Sequence, residues 1–139
     1  MPHSPALFFK ENEMGRIEID RAAELGRRGE RITEDYLTRY GFIIFKRNYS
    51  CRFGEIDLIA EKGALLLFVE VKTRCENAWS APAAAVDSEK QHRLRMTAAD
   101  FLSKTHREYQ CRFDVSEVYV RNDGSRETFE IRYIRDAFR

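Results

Sequence analysis

Gly54 to Arg74, GEIDLIAEKGALLLFVEVKTR, is the stretch whose reading decides the fold. It reads as two strands joined at Lys62-Gly63, a tight-turn pair in which glycine takes positive φ at little cost. Side chains two apart on a strand share a face, so Glu55, Asp57 and Ile59 point one way, as do Phe68, Glu70 and Lys72. With Lys62 and Gly63 as the two turn residues, Asp57 falls opposite Phe68 and Glu55 opposite Glu70, and all the charges lie on one face. A four-residue loop keeps this register, whereas a three-residue loop turns Asp57 away from Glu70. The diagonal from Asp57 to Glu70 is then roughly 7 to 8 Å between Cβ atoms, within reach of one shared cation.

Such clustering is poor structure and good chemistry. Two carboxylates about 5 Å apart at an effective dielectric of about 20 repel by about 3 kcal/mol. An exposed Glu–Lys pair returns only about 0 to 1 kcal/mol. A divalent cation balances the site, and hard carboxylate oxygens suit Mg2+ or Mn2+.

Around this hairpin the 139 residues are enough for one domain. The expected division is a flexible arm over residues 1–16 and a single domain over 17–139. The composition, 43% hydrophobic and 34% charged, is that of a soluble globular protein. No apolar run approaches the roughly 18 residues of a membrane span. The N-terminus lacks signal-peptide character, so the expected location is cytoplasmic, without a membrane partner. Cys51, Cys75 and Cys111 show no CxxC pattern and read as reduced thiols. The net charge of +1 does not announce a nucleic-acid binder. Its distribution says more, because Arg47, Arg52, Arg74, Lys90 and Arg93 flank the acidic cluster in sequence and are candidates for gripping phosphates.

Ile17 to Tyr40 is helical in period, and Gly41 supplies the stop. Ala22, Leu25, Gly29, Ile32, Tyr36, Leu37 and Tyr40 gather on one arc, with Glu30 at its margin, either a boundary glutamate or a site residue. Gly26 and Gly29 suggest close approach of another backbone. Phe42 to Tyr49 reads as a first strand, its apolar start suggesting burial on both faces. The irregular stretch after Thr73 contains Trp79, readable as a flap or as a core plug. A second helix runs from Ser88 to about Thr105. Gln91 on its stripe is either part of a capping box with Ser88 or an auxiliary site residue. Cys111 to Arg121 is a strand with a phase change between Val115 and Val118 that suggests a bulge. The Asn122-Asp123-Gly124 turn leads to a last strand over Glu127 to Tyr133, with Phe129, Ile131 and Tyr133 inward. Helix, three strands, helix, two strands make an α/β fold, a mixed central sheet flanked by helices, with parallel pairing across the second helix.

An Asp on one strand and Glu-x-Lys on the next, on an αβββαβ core, resembles the PD-(D/E)XK nuclease superfamily. More closely, GRRGE at 26–30, RNYSCRFGEIDLIA at 47–60, FVEVKTR at 68–74, SAPAAAV at 80–86, KQHRL at 90–94 and CRFDV at 111–115 resemble the YraN-like uncharacterised protein family. The resemblance implies a restriction-endonuclease-like core similar to Holliday-junction resolvases. Ile56 stands where the superfamily motif has proline. Gln91 is similar to the start of a QxxxY helix motif of some relatives, but Arg95 stands where the tyrosine would be.

The carboxylate cluster and the resemblance lead to the expectation of a Mg2+- or Mn2+-dependent endonuclease. It would hydrolyse phosphodiester bonds in DNA, branched or single-stranded, with DNA favoured over RNA. The alternative is a non-catalytic nucleic-acid-binding module on the same fold. Asp57, Glu70 and Lys72 are the expected catalytic residues. Asp57, Glu70 and, by the resemblance, Glu30 are the expected metal ligands. Glu55 is an auxiliary carboxylate or the salt-bridge partner of Arg52 or Arg74. Oligomeric state is open, with the homodimer of the junction-cutting relatives as one candidate.

Overall fold

The computed structural model describes residues 11–75 and 86–139. Its elements are α1 (Glu11–Arg39), β1 (Ile43–Cys51), β2 (Gly54–Lys62), β3 (Leu65–Cys75), α2 (Ser88–Ser103), β4 (Gln110–Asp123) and β5 (Arg126–Phe138). The strands lie in sequence order in one sheet. Only the β3–β4 pair, joined across α2, is parallel, and β1–β2, β2–β3 and β4–β5 are antiparallel. This is the mixed α/β sheet that the element order predicts.

β3 shows why two helices are needed. Its residues alternate between two apolar clusters, with Leu66 and Phe68 packing among Leu94, Ala98 and Phe101 of α2, and Leu67 and Val69 beside Leu37 of α1. Each helix covers one face. α1 starts at Glu11, six residues before the predicted Ile17, and so extends into the stretch expected as an arm. Its end is a Schellman motif: Gly41 at φ 88 lets Phe42 N–H donate to Leu37 O at 3.0 Å and Gly41 N–H to Thr38 O at 3.0 Å. The predicted inward arc holds at Gly29 and Leu37, but Tyr40 is 52% exposed. The pattern missed Thr33, fully buried, whose hydroxyl donates to Gly29 O and meets Ser116 Oγ of β4 at 2.7 Å.

Four other expectations change. Among the described residues β1 is an edge strand paired with β2 alone, so Ile43 is 71% and Phe45 45% exposed rather than doubly buried, and the β1–β2 register shifts at Phe45. The hairpin turn is Gly63-Ala64, not Lys62-Gly63, because Lys62 pairs with Leu65 and Gly63 takes φ 59 at the first turn position. Val115, Ser116, Glu117 and Val118 are all fully buried, so the apparent phase change in β4 reflects a strand covered on both faces. The irregularity falls instead between Phe113 and Val115 against β5. Phe129, expected inward, is 45% exposed. Trp79 lies outside the described residues. The three cysteines are free, as expected.

Gly29 is the point where α1 touches β3, since a Cβ there would run into Thr73 Oγ1, whereas one at Gly26 would meet nothing within 4 Å. The close approach expected of both glycines therefore belongs to Gly29 alone. Gly29→Ala is expected to cost about 1–3 kcal/mol by forcing helix from sheet. Gly26→Ala should instead gain about 0.5–1 kcal/mol from helix propensity. Urea unfolding of the two variants checks the contrast, and equal effects would refute this packing.

Candidate metal and phosphate site

The site is built where the sheet forks. β2 and β3 pair from Lys62↔Leu65 to Leu58↔Val69, and their ladder stops there. β2 stays paired with β1 to Cys51↔Gly54, and β3 with β4 to Cys75↔Val120. Beyond Leu58 the next link across the gap is a side chain: Asp57 Oδ2 accepts the Val71 backbone N–H at 2.8 Å. The turn shift matters here. Moving the turn one residue along slides the register by two, which keeps every side chain on its face but brings Asp57 level with Glu70 rather than Phe68. By the same count Glu55 comes level with Lys72. By this count the two carboxylates stand opposite each other at the mouth of the gap, where the predicted register made them diagonal.

Asp57, Glu70 and Glu55 line one pocket of about 260 Å³ together with Lys90, Arg93 and Leu94 of α2. Glu70 is 8% exposed and its Oε1 holds Lys90 Nζ at 2.5 Å. The Asp57 carboxyl is pushed up to about 7, first by burial, then by the Glu70 charge, with a further contribution from Glu30. Lys72, on β3, has its ammonium pKa lowered by burial and then by Lys90 and Arg74, with Glu70 and Glu117 opposing. One strand over, Glu117 sits level with Lys72, is fully buried, and accepts the Tyr119 hydroxyl at 2.6 Å.

Glu30 lies beside this pocket rather than in it. It lines a neighbouring pocket of about 320 Å³, and its pKa is raised by burial, then by Glu55 and Glu34. Asn48 links the two pockets. With its amide nitrogen turned toward the acids it donates to Glu30 Oε1 at 2.7 Å and to Glu55 Oε1 at 3.2 Å. Sequence reasoning missed Asn48 and Glu117, and no sequence pattern marks either; in the folded chain Asn48 stands at φ 50, a left-handed conformation that asparagine tolerates better than most residues.

Among the basic candidates, Lys90 and Arg93 reach the acid pocket. Arg47 is held along one guanidinium edge by Glu34, with Nε donating at 3.0 Å and Nη2 at 2.6 Å. Arg52 lies over the Phe53 ring, 4.6 Å from its centroid, so the pairing of Arg52 with Glu55 is not made. Glu55 accepts instead from Ser50 Oγ at 3.2 Å. Arg74 is half-buried on β3, level with Tyr119. Gln91 turns away from the acids and donates to Val86 O at 2.7 Å. The helix cap is Asp87, which accepts Lys90 N–H at 2.8 Å, so no Ser88 capping box forms.

Among the described residues no group of three or more His, Cys, Asp or Glu side chains is arranged to hold a metal ion. The donor set is a two-carboxylate one, Asp57 and Glu70, with Glu55 beside it. That suits Mg2+, which keeps several waters and binds through one or two carboxylates plus substrate phosphates.

A mixed five-stranded sheet between two helices, with acidic side chains at the parting of its second and third strands, defines a restriction-endonuclease-like α/β protein. The chain belongs to the family described as Uncharacterised protein family UPF0102, which matches residues 29–118. It is 40% identical over 116 residues to a UPF0102 protein of Clostridium tetani, covering 83% of this chain and 93% of that one. It is 40% identical to one of Dictyoglomus thermophilum, covering 83% and 97%. A third, from Chlorobium chlorochromatii, is 42% identical over 117 residues, covering 83% and 91%. Among the described residues no helix is long and apolar enough to cross a membrane.

The Asp57 carboxyl titrates near 7 when folded, against a reference value of 3.8. A raised folded pKa means that the folded state binds the extra proton between those values. Stability is therefore lost as pH rises through that window, and the loss is complete above about 7. In metal-free buffer, Asp57→Asn should stabilise the protein by about 1–3 kcal/mol at pH 8 and by almost nothing near pH 4. Urea midpoints at the two pH values check this, and a destabilised variant at pH 8 would contradict it.

Proposed function

We propose that the protein is a divalent-metal-dependent nuclease acting on phosphodiester bonds, in DNA rather than RNA. The observation that carries this reading is the single pocket that Asp57 and Glu70 line together beyond the open end of the β2–β3 ladder, with Lys90 and Arg93 on its wall. Asp57 and Glu70 would hold Mg2+ or Mn2+, with Glu30 orienting the outer shell through Asn48. When bound, the ion supplies Lewis acidity toward a phosphate oxygen and lowers the pKa of a water.

The chain's own groups do the rest. The Val71 N–H fixes one Asp57 oxygen, which leaves the other to face the pocket. Lys72, an ammonium on a flexible stem, orients water and stabilises charge developing on phosphorus. Its lowered pKa suits proton exchange near neutrality better than that of an exposed lysine. A cytoplasmic location and a homodimer belong to the same reading.

One observation favours the rival, a nucleic-acid-binding module without turnover. Lys90 already neutralises Glu70 at 2.5 Å, so the acid pair is partly balanced without any ion. Incubation with branched, single-stranded and duplex DNA in Mn2+ separates the two. Cleavage by the wild type, lost by at least about a hundredfold in Asp57→Asn and Lys72→Ala, is expected of an enzyme. Binding without cleavage assigns the rival, and cleavage unchanged in both variants rejects the site.

Lys90 gives a sharper prediction, because it and the ion compete for the same carboxylate. Removing a partly exposed ion-pair partner is worth up to about 1 kcal/mol. Lys90→Met should therefore bind Mn2+ roughly three- to fivefold more tightly than wild type in calorimetry without nucleic acid. Equal or weaker binding would mean that Lys90 does not occupy the ion's place.

A further inference from the structure

The acid pocket is bordered on its α2 side by Lys90 and Arg93. On its α1 side, across the Glu30–Asn48–Glu55 link, is the second pocket, about 320 Å³, lined by Arg27, Arg31, Arg47, Glu30, Glu34 and Asn48. Arg47 and Glu34 close on each other in a side-on ion pair through Nε and Nη2 and cancel. Arg27 and Arg31 have no ion pair among the described residues, and both are exposed. Arg28, between them in sequence, pairs with Glu127 of β5.

Four residues apart on a helix, Arg27 and Arg31 are like-charged neighbours, a placement that costs about 0.2–0.5 kcal/mol without a counter-charge. The one acid left in their pocket is Glu30, whose carboxylate is already engaged by Asn48. The pocket therefore presents two planar forks with five donors each and no full complement of acceptors, which is the chemistry that recognises phosphate oxygens.

We propose that Arg27 and Arg31 form a phosphate subsite for a nucleic-acid backbone, gripping a phosphate next to the one that reaches Asp57 and Glu70. The assignment rests on the proposed function for its polymer and adds a second grip to it. A strand crossing the fork would be held by Lys90 and Arg93 on one side of the acids and by the α1 arginines on the other. Base edges are not involved, so this grip contributes affinity and register without sequence preference.

The test is fluorescence anisotropy in EDTA, where cleavage cannot intervene, with labelled single-stranded and duplex DNA and RNA over a range of salt concentrations. Wild type is compared with Arg27→Gln/Arg31→Gln and, as a distant control, with Arg107→Gln, whose guanidinium sits beside the β2–β3 turn at the end of the hairpin away from the fork. Both arginines of the pair are exposed, so the double variant should keep the wild-type unfolding midpoint. Two lost phosphate contacts should weaken binding by about tenfold and make the log–log salt slope shallower by about 1.4 to 1.8, with the control unchanged.

A double variant that matches wild type in slope and affinity overturns the subsite and leaves the nuclease reading standing. Wild type that binds no nucleic acid overturns both. Inorganic phosphate is the remaining arm. If it binds wild type and not the double variant, while oligonucleotide binding is the same in both, the pocket is assigned to free phosphate and the backbone subsite is rejected.

Discussion

The structure depends on the parting of β2 from β3 just after a well-paired hairpin. Five rungs, from Lys62↔Leu65 to Leu58↔Val69, lock the strands and bury Leu58, Ile59, Leu67 and Val69 between the helices. Beyond them each strand is held by its outer neighbour, and the backbone groups facing the gap need new partners. Asp57 supplies one by accepting the Val71 N–H. A carboxylate that substitutes for a ladder bond is thereby fixed in position and drawn out of water together with its neighbour Glu70, and it is this burial beside a second charge that raises its pKa. The fork makes the pocket, and the pocket makes the chemistry.

Charged groups of both signs crowd around that fork. Glu55, Asp57 and Glu70 share one pocket with Glu30 beside it, and Lys90 is in direct contact with Glu70. Asn48 relieves part of the strain between Glu30 and Glu55 with a neutral donor, itself held at positive φ. Apolar residues in these positions would be cheaper for folding, since desolvated like charges return nothing to stability. The proposed cation, with a polyanion laid across it, would offset that cost. Lys90 and Arg93 border the acids on the α2 side, and Arg27 and Arg31 line the neighbouring pocket on the α1 side.

Much of this was legible in the linear chain, for identifiable reasons. Alternating apolar and charged residues in β2 and β3 put Asp57 and Glu70 on one face, and parity survives any register shift by two. The helix between the third and fourth strands dictated the parallel β3–β4 pair. Gly41 announced the end of α1. The failures have physical causes too. Phe42–Phe45 looked doubly buried because an apolar run reads the same in an edge strand as in a central one, and only the sheet order exposes Ile43 and Phe45. Thr33 and Ser116 escaped notice because a polar pair buried by mutual hydrogen bonding has no apolar signature.

The sequence by itself determined the element order, the mixed sheet, and which carboxylates share a face, because periodicity and turn residues act over a few positions of chain. Only the tertiary structure decided that the turn is Gly63-Ala64, which sets Asp57 level with Glu70, and that α2 delivers Lys90 onto Glu70 across twenty positions. It also decided that Asn48 stands between Glu30 and Glu55. These are contacts between elements, governed by which faces the two helices cover and where the ladder opens, and no local pattern encodes them.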